Sequence, residues 1–174
     1  MQIRPAAFAL ALALSGSALA AGIPEKLDAA SYQRLSPGLA VSGKPSKEAL
    51  AALKDAGFCT AIDLRLPAEG VPAAREAVES QGLTFVSVPV SPETFSLGDA
   101  QRVASVLSDP GAAPVLLFCS SSNRVGGVMA VVERLRGRSK EEALAEGKKA
   151  GLRSAAMEKA VLKILDEEGS KTWR

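Results

Sequence analysis

The chain contains no histidine. That absence removes Ser-His-Asp triads, Cys-His pairs and imidazole metal sites from the chemistry open to it. Cysteine is almost as scarce. Cys59 and Cys119 are the only two, too few to make a structural zinc site alone. Aromatic residues make up 4% of the chain, which leaves little for base-stacking platforms. Charge is nearly balanced, with 21 Lys and Arg against 19 Asp and Glu and no long run of one sign. That balance speaks against nucleic acid or an acidic membrane surface as a partner. No repeat or low-complexity linker marks a second folded domain.

The first 20 residues read as a secretory signal. Arg4 is the only early charge, Ala6 to Leu14 form a short apolar core, and Ala18-Leu19-Ala20 supplies a small-x-small cleavage site. The apolar run is too short to span a bilayer, so no stable membrane insertion is expected after cleavage. The mature chain is expected to begin near Ala21 and to be periplasmic or secreted. Residues 21–174, roughly 150 in number, suit a single domain with a substantial core.

That remainder alternates strand and helix patterns. Strands are expected at Leu39 to Ser42, Cys59 to Leu64, Phe85 to Val88 and Val115 to Phe118. Helices are expected at Lys47 to Ala56 after a Ser46 cap, at 72–81, at 97–107 after a Ser96 cap, and at 124–136, 139–150 and 153–168. Such alternation implies an α/β fold with a central, mostly parallel, four- to five-stranded sheet and helices on both faces. Cys59 would open one strand and Cys119 would follow the end of another. In a parallel sheet that places them at opposite strand ends, beyond the ~7 Å limit for a disulfide. Two free thiols are therefore expected, with Cys59 as core packing.

The stretch that carries chemistry is Pro114 to Ala130, PVLLFCSSSNRVGGVMA. A buried strand ends at Phe118, Cys119 follows, and Ser120, Ser121, Ser122 and Asn123 lead to Arg124 at a helix start. Loop and first-turn N–H groups can converge on an anion there, with the helix dipole adding positive potential. Arg124 adds a planar fork of donors suited to two oxygens of phosphate, sulfate or carboxylate. A thiol in such a field ionises more readily and becomes a nucleophile. A cysteine at a strand end can also be plain packing. Arg65 follows the strand Cys59 to Leu64. It either pairs with Asp63 or adds a second cation at the mouth of an anion pocket.

A cysteine and an arginine across a strand, loop and helix resemble the signature loop of cysteine-dependent protein phosphatases and of rhodanese-like sulfurtransferases. Three further stretches carry the likeness: VSGKPSKEALAALKDAGFCTAIDLR at 41–65, VSVPV at 86–90, and the helix from Ser139 to Gly151. In that order they resemble the bacterial phosphatase-like family sometimes called beta-lactamase-hydrolase-like or DSP-like, related to the dual-specificity phosphatases. The resemblance implies Cys119 as nucleophile, Arg124 and the loop as anion cradle, a small anionic or phosphorylated substrate, and no cofactor or metal. The departures are specific. Four residues separate Cys119 from Arg124, the rhodanese count, where the phosphatases have five. Phe118 replaces the usual histidine, and Ser91 stands where the phosphatases keep a general-acid aspartate. Glu93 and Asp99 are the nearest carboxylates that could replace it, although Asp99 also suits a helix first turn. Three readings stand open: a hydrolase working through a phosphoryl-cysteine, a sulfurtransferase working through a persulfide, and a non-catalytic anion-binding module.

Overall fold

The strand Val115–Phe118 is buried along its whole length, because it is the middle of the sheet and carries helices on both sides. In the computed structural model, which describes residues 22–169, this strand is β5. Its neighbours are β2 (Leu39–Ser42) and β3 (Thr60–Asp63), both parallel to it. Beyond β3 lies parallel β4 (Thr84–Ser87), and beyond β2 lies antiparallel β1 (Gln33–Ser36). The spatial order is β1-β2-β5-β3-β4. The fold is the expected α/β arrangement, a mostly parallel five-stranded sheet.

Alternation along the central strands divides the apolar residues between two cores. Val115, Leu117, Leu39, Val41 and Ile62 face one side, with Val125, Val128, Met129 and Val132 of α4 (Asn123–Leu135) and Met157 and Val161 of α6 (Ala155–Gly169). Leu116, Phe118, Ala40 and Ala61 face the other. There they meet Leu50 of α1 (Lys47–Ala51) and Val71, Ala74 and Val78 of α2 (Val71–Glu79). The remaining helices are α3 (Leu97–Ser108) and α5 (Lys140–Lys149). Ser46, Ser96 and Ser139 cap α1, α3 and α5 through their hydroxyls, as the serine positions imply.

Three sequence expectations change. The strand β1 was not anticipated: its QRLS sequence has no apolar alternation, and it is an edge strand facing solvent. Helix α1 ends at Ala51 and continues to Gly57 only as turns. Cys59 is exposed, so it is not core packing; it stands one residue before β3, where its backbone already bonds Pro114 and Thr84 but its side chain meets solvent. Both cysteines are free. The proposed signal segment lies outside the described residues.

One contact fixes the geometry around the end of β5. Helices α4 and α5 cross so closely that a Cβ on Gly126 would stand 2.6 Å from the Gly147 carbonyl oxygen and 2.0 Å from the Leu152 nitrogen. Only glycine permits that approach. It holds the connection from α5 to α6 beside the start of α4.

Candidate active site

Cys119 follows β5 at the carboxyl end of the sheet, the side on which open parallel sheets bind ligands. It is fully buried, and its N–H donates to the Ser42 carbonyl at 3.3 Å. The next carbonyl, of Ser120, accepts from the N–H of Lys44 at 3.1 Å. The loop then turns at Ser122, whose φ of 66° lies in the left-handed region. A non-glycine residue there costs of order 1 kcal/mol, so the surrounding packing holds the turn in place. Ser122 is fully buried and its hydroxyl has no hydrogen-bond partner.

Asn123 anchors the loop from behind. Its Oδ1 accepts the N–H groups of Arg153 and Ser154, each at 2.9 Å, and its Nδ2 donates to Ser154 Oγ at 2.8 Å. The amide therefore joins the starts of α4 and α6 and is not turned toward a ligand. Gly151, with φ of 114°, packs against Ser122 so tightly that a Cβ there would lie 2.7 Å from Ser122 Cβ.

Arg124 points back into the loop and meets a carboxylate. Its Nη1 donates to Glu69 Oε2 at 2.7 Å and its Nη2 to Glu69 Oε1 at 2.8 Å, two parallel bonds of the fork type. Nη2 also reaches Ser120 Oγ at 2.8 Å, and Nη1 reaches the Val90 carbonyl at 3.3 Å. Ser120 Oγ in turn donates to Glu69 Oε1 at 2.6 Å, and the Leu66 N–H donates to Oε2 at 2.7 Å. Glu69 thus receives four donors. Its pKa is lowered to about 2, first by the Arg124 hydrogen bond and then by those of Ser120 and Leu66, against the opposing effect of burial. Arg124 is correspondingly raised, first by Glu69, with the Cys119 side chain also contributing.

Glu69 was not anticipated from the sequence. It ends a short 3-10 turn, Pro67–Glu69, which the residues Pro67 and Gly70 mark only as a connection. Arg65 holds that turn in place. It is buried, with its Nε and Nη2 on the Asp63 carboxylate at 2.7 to 3.1 Å and its Nη1 on the Glu69 carbonyl at 3.0 Å. Its guanidinium also lies 5.2 Å from the centre of the Phe118 ring. Of the two roles open to Arg65, the structure gives the pairing with Asp63, and the guanidinium does not face the pocket mouth as a free cation.

The two carboxylates considered as general acids are engaged elsewhere. Glu93 accepts from Ser91 Oγ at 2.7 Å, and that bond lowers its pKa, which favours the ionised form. It lies on the loop that begins after Val90, at the Arg124 contact. Asp99 closes the α3 capping box, accepting from Ser96 N–H at 3.0 Å and Ser96 Oγ at 2.7 Å. Ser121 is exposed at the crest of the loop. Beside it stands Arg153, also exposed, whose Nη2 donates to the Ser121 carbonyl. The sequence reading did not single out Arg153 either. A cavity of about 580 Å³ lies at the opposite strand ends, lined by Leu39, Val115, Glu133 and Arg136 among others, away from Cys119.

A family model described as DSP-PTPase phosphatase fused to NAD+ kinase matches residues 27–164. The chain belongs to this DSP-PTPase phosphatase family. The match runs from before β1 into α6 and so contains every site residue above. Solved structures share the fold of this DSP-PTPase domain at low identity. Tk-PTP in its active form is 23% identical with a TM-score of 0.65, over 79% of this chain and 97% of that one. A putative phosphatase from Shewanella putrefaciens CN-32 is 17% identical with a TM-score of 0.64, over 80% and 93%. The catalytic core of the PP-IP phosphatase Siw14 from S. cerevisiae is 14% identical with a TM-score of 0.60, over 85% and 97%. No curated protein matches the chain.

Proposed function

We propose that this DSP-PTPase domain is an exported phosphatase-like hydrolase, with Cys119 as nucleophile and Arg124 with the Ser120–Asn123 backbone as the anion cradle. The observation that carries the reading is the fork between Arg124 and Glu69. A carboxylate held by both terminal nitrogens and by Ser120 Oγ is a stand-in for two oxygens of a phosphoryl group, within the loop that starts at Cys119. In the proposed reaction the Cys119 thiolate attacks phosphorus and the ester P–O bond breaks. The leaving oxygen takes a proton, and water then cleaves the S–P bond to release phosphate and restore the thiolate. Export rests on the Met1 to Ala20 segment; cell fractionation tests it.

Among the described residues, neither Glu69 nor Glu93 is poised as a carboxylic acid for the leaving oxygen. Glu69 and Glu93 both have lowered pKa values and are ionised at neutral pH. Aryl phosphates, whose leaving groups depart as stable phenolates, are therefore the expected substrates in an assay. Hydrolysis of 4-nitrophenyl phosphate by the wild type and not by Cys119→Ser supports the reading, and equal rates for both end it.

A second reading, a non-catalytic anion-binding module, is favoured by the full burial of Cys119 and by the occupation of Arg124. The four-residue loop keeps the sulfurtransferase reading in view as well. Incubation with thiosulfate separates that one, since sulfur transfer would leave a persulfide on Cys119.

A further inference from the structure

The cavity at the far end of the sheet from Cys119 divides its wall by chemistry. It holds about 580 Å³, between the β1–β2 hairpin and the carboxyl ends of α3 and α4. Cavities of roughly 300–1,000 Å³ suit small-molecule ligands. One side of it is apolar, formed by Leu35, Leu39, Leu107, Val115 and Met129. Leu39, Val115 and Met129 belong to the buried core. Leu35 does not. It is 38% exposed, one of two large apolar side chains left so among the described residues.

The other side is charged. Glu133, in the last turn of α4, is buried, and a carboxylate so placed needs partners. Arg136 Nη1 donates to its Oε1 and Arg138 Nε to its Oε2, each at 2.7 Å. Both arginines follow the carboxyl end of α4, where the helix dipole favours cations. Each guanidinium uses one of its five N–H donors in this way, and both side chains are nearly half exposed. Glu133 thus holds two donor forks at the cavity wall with most of their N–H groups unused. Glu146, the other carboxylate in the wall, is bonded to Lys149 at 2.7 Å. Unused donors call for an acceptor, and the apolar side opposite them calls for hydrocarbon.

We infer that this cavity binds a small amphiphilic carboxylate. Its head lies on Arg136 and Arg138, and its apolar body lies against Leu35, Leu39, Leu107, Val115 and Met129. The inference stands on the cavity alone and is independent of how the Cys119 site is read.

The test follows methyl-labelled protein by NMR during titration with octanoate at fixed pH and ionic strength. Acetate, a head without a chain, and octanol, a chain without a carboxylate, are the comparisons. Octanoate is expected to shift the methyl signals of Leu35, Leu39, Leu107, Val115 and Met129 saturably, and acetate to leave them unmoved. Octanol should bind there roughly tenfold more weakly, for want of a charged head. Arg138→Gln should weaken octanoate roughly three- to tenfold and leave octanol unchanged, whereas Leu35→Ala should weaken both. The wild-type comparison of the three ligands decides the matter even where a variant folds poorly. Octanol binding as tightly as octanoate, or octanoate affinity unchanged in a folded Arg138→Gln, overturns the inference. So does octanoate that leaves these methyls unmoved, or that shifts instead those of Val90 and Val125 beside Arg124.

Discussion

Replacing Glu69 by Gln removes the charge from the carboxylate that fills the loop while keeping its shape. One oxygen remains to accept a bond, but the amide NH2 now faces a guanidinium. The magnitude follows from the pKa, lowered from 4.5 to about 2. At 1.36 kcal/mol per unit, that shift corresponds to about 3 kcal/mol. The Glu69 side chain is 33% exposed, so solvent screening reduces the figure to about 1–1.5 kcal/mol. Because the folded pKa is depressed, the stabilisation is complete above about pH 4.5 and is lost as pH falls through about 2. Urea unfolding of wild type and Glu69→Gln should therefore show the full gap at pH 7 and a shrinking one toward pH 2 to 3. Phosphate affinity should move the opposite way and rise several-fold at pH 7, since the anion no longer displaces a carboxylate from Arg124. A stability gap that is absent at pH 7, or that does not change with pH, would refute the reasoning.

Three other perturbations have definite outcomes. Without a general acid, kcat for an alkyl phosphate such as phosphoserine should be at least roughly 10²-fold below that for an aryl phosphate, and Ser91→Asp should narrow the difference; a ratio near one contradicts this. Asp63→Ala strands the buried Arg65 without its carboxylate and should cost about 3 kcal/mol or more in urea unfolding, with a loss below 1 kcal/mol counting against the pairing as described. Gly126→Ala places a Cβ 2.0 Å from the Leu152 nitrogen and should lower Tm markedly, whereas an unchanged Tm would mean that α4 and α5 separate easily.

The parts of the fold legible in the sequence were those written in local patterns. Val115 to Phe118 reads as a buried strand because four apolar residues in a row suit a position covered on both faces, and that is where β5 lies. Ser46 and Ser96 announce their helices as caps, through hydroxyls that accept a first-turn N–H. The strand β1 was illegible because QRLS holds a single apolar residue, the exposed Leu35, and so shows no alternation, and its pairing with β2 is made across the turn at Pro37 and Gly38. In the site, Cys119 and Arg124 were visible because they share one loop. Glu69 and Arg153 were not, since they reach that loop from 55 and 29 residues away in sequence (124 less 69, and 153 less 124). Contacts of that kind depend on how α5, α6 and the turn after β3 pack, and a single sequence does not display that packing. Arg65 was legible only as a choice between pairing with Asp63 and serving as a second cation at the pocket mouth, and the carboxylate two residues earlier on the same strand takes it.

The central claim is that Cys119 becomes phosphorylated in turnover. The direct measurement is rapid acid quench of the protein with a saturating aryl phosphate, followed by intact and peptide mass spectrometry. The account expects about 80 Da added, the mass of one phosphoryl group in place of a proton. The adduct should map to Cys119, be absent from Cys59, and be missing in Cys119→Ser. Turnover of the aryl phosphate with no such adduct, or with Cys119→Ser as active as wild type, would contradict it.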